Sequence, residues 1–129
     1  MSFSHTNRCI LIIDDEPDLC RIVKVTLERL KGWEILTAEF PQAGLAQAQM
    51  QQPDVILLDL TLLPNGDGLT LLQTLKTNPT TQSIPVILFT ATEPADYSLE
   101  FDFKSVAGVI LKPFNVLQLA EQIIEQLGW

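Results

Sequence analysis

The sequence predicts an α/β domain built as a doubly wound, five-stranded parallel sheet with helices on both faces. Three observations predict it. Short apolar runs alternate with longer segments of helical period along the whole chain. Those runs are apolar at successive positions, as strands buried on both faces require. At 129 residues, 47% hydrophobic and 19% charged, the chain suits one core, and it has no internal repeat, low-complexity tract or linker.

The elements follow in order. Residues 1–7 read as a short disordered lead, and the domain runs over 8–129. "CILII" (9–13) is a buried strand stopped by Asp14 and Asp15. "EPDLCRIVKVTLERL" (16–30) spaces Leu19, Ile22, Val23, Leu27 and Leu30 at helical intervals; Asp15 is the expected cap, Pro17 fits the first turn and Gly32 ends the helix. "WEILTA" (33–38) is the second strand and "PQAGLAQAQMQQ" (41–52) an Ala/Gln-rich helix. "DVILLD" (54–59) is the third strand, "GLTLLQTLKT" (68–77) a helix and "IPVILFT" (84–90) the fourth strand. "EPADYSLEFDF" (93–103) has weak helical character, with Tyr97, Phe101 and Phe103 expected to pack inward rather than to form a partner patch. "VAGVILK" (106–112) is the fifth strand, and "NVLQLAEQIIEQL" (115–127) a helix capped by Asn115.

Eight basic against sixteen acidic side chains give a formal charge of −8. No basic stripe is present to neutralise phosphates, which argues against direct nucleic-acid binding. No apolar run approaches the roughly 20 residues of a membrane span, and the lead lacks a signal peptide's apolar region, so the expected location is cytoplasmic. Cys9 and Cys20 are expected as reduced thiols, and the one histidine, His5, falls in the lead.

The strand ends carry the chemistry. Open α/β sheets bind ligands beyond the carboxyl ends of their strands, beside the point where strand order reverses. Asp14 and Asp15 end strand one and Asp59 ends strand three. Alternation alone leaves the strand order open, but in 2-1-3-4-5, one common form, strands one and three are neighbours. Three carboxylates would then crowd one crevice and repel one another unless a cation sits among them, and hard oxygen donors with room for water describe Mg²⁺. Thr90 and Lys112 close strands four and five with a hydroxyl and an ammonium, completing a phosphoryl-binding set in which Asp59 is the natural nucleophile. Taken singly, each has a plainer reading: Asp14 or Asp15 as a helix cap, Asp59 as a loop acid, Thr90 and Lys112 as ordinary strand-end residues. Their joint placement favours a site.

With "LIIDDEPD" (11–18), "ILLDL" (56–60), "DGL" (67–69), "PVILFTA" (85–91) and "LKPF" (111–114) in that order, the chain resembles the receiver domain of two-component response regulators from about Arg8 to Leu127. The resemblance implies the flavodoxin-like order 2-1-3-4-5. It implies transfer of a phosphoryl group to Asp59 from a histidine kinase or histidine phosphotransfer protein. It further implies Mg²⁺ held by Asp15, Asp59 and the backbone carbonyl of Thr61, with Asp14 acting through water. Lys112 would face the phosphoryl oxygens, Thr90 would turn its hydroxyl toward them, and Lys112–Pro113 would be cis. Three departures stand out: Pro64 lies five rather than four residues after Asp59, Val109 takes a position often aromatic, and Ser105 one that is often glycine.

The expected protein is therefore a stand-alone receiver, a monomer or weak phosphorylation-dependent dimer, signalling to an unknown downstream protein rather than acting as an enzyme. Its rivals are a receiver-like module that works without phosphorylation, and an aspartyl-phosphate phosphatase. The phosphatase reading lacks an acid two residues after Asp59, where Thr61 stands, and lacks a cap over the site. A flavin site in the same fold is weaker still, because the crevice is acidic.

Overall fold

The computed structural model describes residues 8–60, 68–90 and 106–129, with Thr90 described by its backbone alone. The lead, the loop around Pro64, and the segment containing Tyr97, Phe101, Phe103 and Ser105 lie outside the described residues. Five strands, β1 (Cys9–Ile13), β2 (Glu34–Ala38), β3 (Val55–Leu58), β4 (Val86–Thr90) and β5 (Gly108–Leu111), form one parallel sheet in the order β2-β1-β3-β4-β5. The doubly wound sheet and its 2-1-3-4-5 order are thus as expected. The described helices are α1 (Pro17–Lys31), α2 (Pro41–Gln51), α3 (Gly68–Thr77) and α4 (Val116–Leu127).

Because successive strand side chains point to opposite faces, each apolar run supplies two cores. Ile10, Ile12, Val55, Leu57, Ile87, Phe89 and Ile110 meet α1 and α4 through Cys20, Val23, Leu27, Leu119, Ala120 and Ile123. Leu11, Ile13, Ile56, Leu58, Val86 and Leu88 meet α2 and α3 through Ala48, Leu71, Leu72 and Leu75. Full burial of one such aliphatic side chain contributes about 1.5–3 kcal/mol relative to exposure, which fixes the register that aligns the strand ends.

Helix boundaries follow local chemistry, with two corrections. α1 ends at Gly32, whose φ of +70° suits glycine. Asn115 caps α4 by accepting from the Leu117 amide at 2.9 Å. Asp15 does not cap α1. Glu16 stands at the cap without a side-chain hydrogen bond, and Asp14 Oδ1 instead accepts the Glu16 amide at 3.0 Å. Asp14 is the acid that the chain turns inward. Ile22 and Leu30, expected on the apolar face of α1, are each 52% exposed, because Cys20, Val23 and Leu27 already fill the contact with the sheet.

α2 carries no charge and little amphipathic pattern; it is held by close approach. A Cβ on Gly44 would lie 2.6 Å from Ile13 Cδ1. At the edge of the sheet where the strands begin, Trp129 packs edge-on against Trp33 with ring centroids 5.6 Å apart, under the Arg8 guanidinium at 4.2 Å. Cys9 and Cys20 are free thiols. Lys112–Pro113 is cis. Among the described residues, no helix is long and apolar enough to cross a membrane.

Candidate functional site

β1 and β3 are paired with Ile13 opposite Leu58, so the next residues, Asp14 and Asp59, emerge side by side at the carboxyl edge. Backbone hydrogen bonds hold both: Asp14 N–H donates to the Ala38 carbonyl at 3.0 Å and Asp59 N–H to the Ile13 carbonyl at 3.1 Å. α1 leaves β1 toward one face of the sheet while α3 packs on the other, so a crevice opens between β1 and β3 at the reversal of strand order.

Asp14 and Asp59 are buried, at 0% and 2% exposure, and Asp15 is half-buried. One carboxylate oxygen from each of the three lies within 4.8 Å of the other two. Lys112, one residue beyond β5, brings its ammonium into this group. Nζ donates to Asp14 Oδ2 at 2.5 Å, Glu16 Oε1 at 3.0 Å and Asp59 Oδ2 at 3.5 Å. The same Nζ lies 5.2 Å from the centre of the Phe89 ring, which Phe114 supports at a centroid distance of 4.8 Å.

The electrostatics divide between burial and pairing. Burial pushes the Asp14 carboxyl above its ordinary range, and the Lys112 bond and charge offset this only in part. Burial pulls the Lys112 ammonium downward, but its hydrogen bonds to Asp14 and Glu16 and the charges of Asp14 and Asp59 win, holding it above the usual lysine range. The lysine is therefore fully charged at neutral pH. One ammonium faces four carboxylates, an excess of negative charge that a divalent cation would neutralise. Few protein oxygens, hard donors and an open side are the chemistry of a Mg²⁺ site, so the residues present fit that ion.

The structure thus brings together Asp14, Asp15, Asp59 and Lys112 from the sequence reading. Thr90 pairs with Leu111, which places its backbone at the same edge; its hydroxyl lies outside what is described, as does the Thr61 carbonyl. Two residues gain a role that the sequence reading did not give them. Glu16, read as the start of a helix, is an ion-pair partner of Lys112. Gly68, noted only within "DGL", packs on the backbone behind Asp59: a Cβ there would lie 2.3 Å from the Asp59 carbonyl oxygen and 2.4 Å from Leu60 Cα. An open, mainly apolar groove lined by Leu19, Ile22, Pro113, Phe114 and Val116 begins at Glu16 and Lys112.

Comparison with known proteins agrees with this geometry. The family described as "Response regulator receiver domain" matches residues 10–124. The chain is 34% identical over 114 residues to the DNA-binding dual master transcriptional regulator RpaA of Synechocystis, covering 88% of this chain and 46% of that protein. It is 34% identical over 116 residues to the phosphate regulon transcriptional regulatory protein PhoB of Pseudomonas aeruginosa, covering 90% and 50%. The chain spans about half the length of these curated relatives. The crystal structure of a CheY-like response regulator receiver domain protein from Methanospirillum hungatei superposes with a TM-score of 0.77 at 30% identity, covering 95% of this chain and 94% of that one.

Proposed function

The chain belongs to the response regulator receiver domain family, and we propose that it works as a phosphoacceptor, taking a phosphoryl group onto Asp59 from a phosphohistidine on a partner protein. A carboxylate oxygen of Asp59 forms the new bond to phosphorus. The phosphorus–nitrogen bond breaks, and its electron pair returns to the imidazole ring, leaving an acyl phosphate on Asp59. The observation that carries this reading is the meeting of the Asp14, Asp15 and Asp59 carboxylates within 4.8 Å, with Lys112 Nζ among them, at the reversal of strand order.

Each residue has a part. Asp59 projects from the end of a rigid buried strand, so its oxygen is aimed before the donor arrives. Asp14, Asp15 and Asp59, with the Thr61 carbonyl, would hold Mg²⁺. When bound, that ion supplies the positive charge that offsets repulsion between the carboxylates and the incoming phosphoryl oxygens. Lys112 carries a permanent positive charge to the same oxygens. The Thr90 hydroxyl, at the same edge, would complete their hydrogen bonding.

The groove beside Lys112, lined in part by Ile22, which is 52% exposed, offers the phosphodonor protein an apolar seat next to the reacting atoms. Phosphorylation would shift an equilibrium between two surface states and so change binding to a downstream protein. The test is the intact mass after incubation with acetyl phosphate, with and without Mg²⁺, for the parent chain and Asp59→Asn. The expected result is one Mg²⁺-dependent phosphoryl group on the parent and none on the variant. A parent that gains none, even in brief time points, would favour a receiver-like module that works without phosphorylation.

A further inference from the structure

Lys112 has three N–H groups and three carboxylate partners, of which Asp14 and Asp59 belong to the acidic pocket and Glu16 does not. These bonds differ in how readily they are given up. Asp14 is fully buried, and breaking its bond would strand a charge without solvent. The Glu16 side chain is 60% exposed, so water replaces the lysine at little cost. Asp59 is the most distant partner, at 3.5 Å, so the ammonium rests on the Asp14–Glu16 side.

From this asymmetry we infer that Glu16 is a positioning residue that tethers Lys112 in the unphosphorylated state and releases it to the phosphoryl group. The inference rests on the phosphoacceptor reading above. Lys112 pivots about its bond to Asp14. At rest its second bond goes to Glu16, at the mouth of the site. When phosphoryl oxygens stand on Asp59, the ammonium swings inward to them and Glu16 turns to solvent. Glu16 thereby slows phosphoryl uptake, because each transfer must first detach the lysine. It also couples the occupancy of Asp59 to the start of α1, where the apolar groove begins. Nothing in this requires Glu16 to touch the reacting atoms.

The experiment compares initial rates of phosphoryl uptake from acetyl phosphate in Mg²⁺ for the parent, Glu16→Gln and Asp18→Asn. Asp18 lies on the same helix end, is 93% exposed and pairs with Arg21 at 3.8 Å rather than with Lys112, so its variant removes the same charge without touching the tether. The expected result is uptake about 3- to 10-fold faster in Glu16→Gln and a rate near the parent's in Asp18→Asn. A second readout needs no phosphorylation: the Nζ NMR resonance of Lys112, recorded in EDTA, shifts in Glu16→Gln and keeps its parent position in Asp18→Asn. Equal uptake in the parent and Glu16→Gln, equal acceleration in both variants, or an unmoved Lys112 Nζ resonance would overturn the tether. A parent that takes up no phosphoryl group would instead overturn the phosphoacceptor reading, a different result from normal uptake that Glu16→Gln fails to change.

Discussion

Replacing Lys112 by Met removes the one cation among the described residues of the acidic pocket while keeping a side chain able to rest on Phe89. At an effective dielectric constant of about 20, unit charges at the observed 2.5 Å and 3.5 Å from Asp14 and Asp59 attract by about 7 and about 5 kcal/mol. Desolvation of the ammonium, several kcal/mol, offsets much of that, and removal of one partner from a buried pair costs about 3–5 kcal/mol net. Lys112→Met is therefore expected to be about 3–5 kcal/mol less stable than the parent in EDTA, measured by urea unfolding at pH 7. The gap should narrow in saturating Mg²⁺, because Lys112 no longer competes with the ion for Asp14 and Asp59. A tenfold gain in ion affinity narrows it by about 1.4 kcal/mol. A gap below about 1 kcal/mol in EDTA, where surface substitutions lie, would mean that the Lys112–Asp14 pair contributes little, and a gap equal in EDTA and Mg²⁺ would mean that Lys112 does not compete with the ion.

Three further outcomes follow from the same geometry. Gly68→Ala forces a methyl group onto the Asp59–Leu60 backbone and should lower stability by about 1–3 kcal/mol, read by urea unfolding, together with phosphoryl uptake. Burial raises Asp14 above its ordinary range, so its contribution to folding is present below the unfolded carboxyl value and is lost as pH rises through the raised one. In EDTA the parent should therefore lose stability relative to Asp14→Asn from about pH 4 upward, and a difference constant across pH 4–7 would contradict this. Burial pushes the Cys9 thiol up to about 11, with the Glu34 and Asp54 charges adding to it, and the Cys20 thiol up to about 12. At pH 8 about 0.1% of Cys9 is thiolate, so alkylation of the native protein should be far slower than that of a free thiol.

The architecture was legible because β1, β3 and β5 carry uninterrupted apolar runs and α1 and α4 meet residues with one local use, Gly32 and Asn115. Asp14, Asp15, Asp59 and Lys112 were legible for a related reason: parallel strands deliver their last residues to one edge, so position along the chain becomes position in space. Other features depended on three-dimensional placement that sequence does not carry. Two adjacent aspartates look alike, and the turn into α1 decides that Asp14 faces inward while Asp15 leaves the helix uncapped. Glu16 reaches Lys112 across 96 residues, a pairing set by where β1 and β5 end rather than by spacing. Trp129 pairs with Trp33 and Arg8 because α4 returns to the edge where the strands begin, which a terminal tryptophan does not announce.

Every role proposed for this pocket depends on Asp59, and no other carboxylate there, accepting the phosphoryl group. Borohydride reduces an acyl phosphate to an alcohol, so it converts a phosphorylated aspartate to homoserine and leaves a free one intact. The decisive measurement is peptide mass spectrometry of the chain after acetyl phosphate, Mg²⁺ and borohydride. Homoserine is expected at position 59, in the Mg²⁺ sample alone. Homoserine at position 14 or 15, or none at any pocket position, would contradict it.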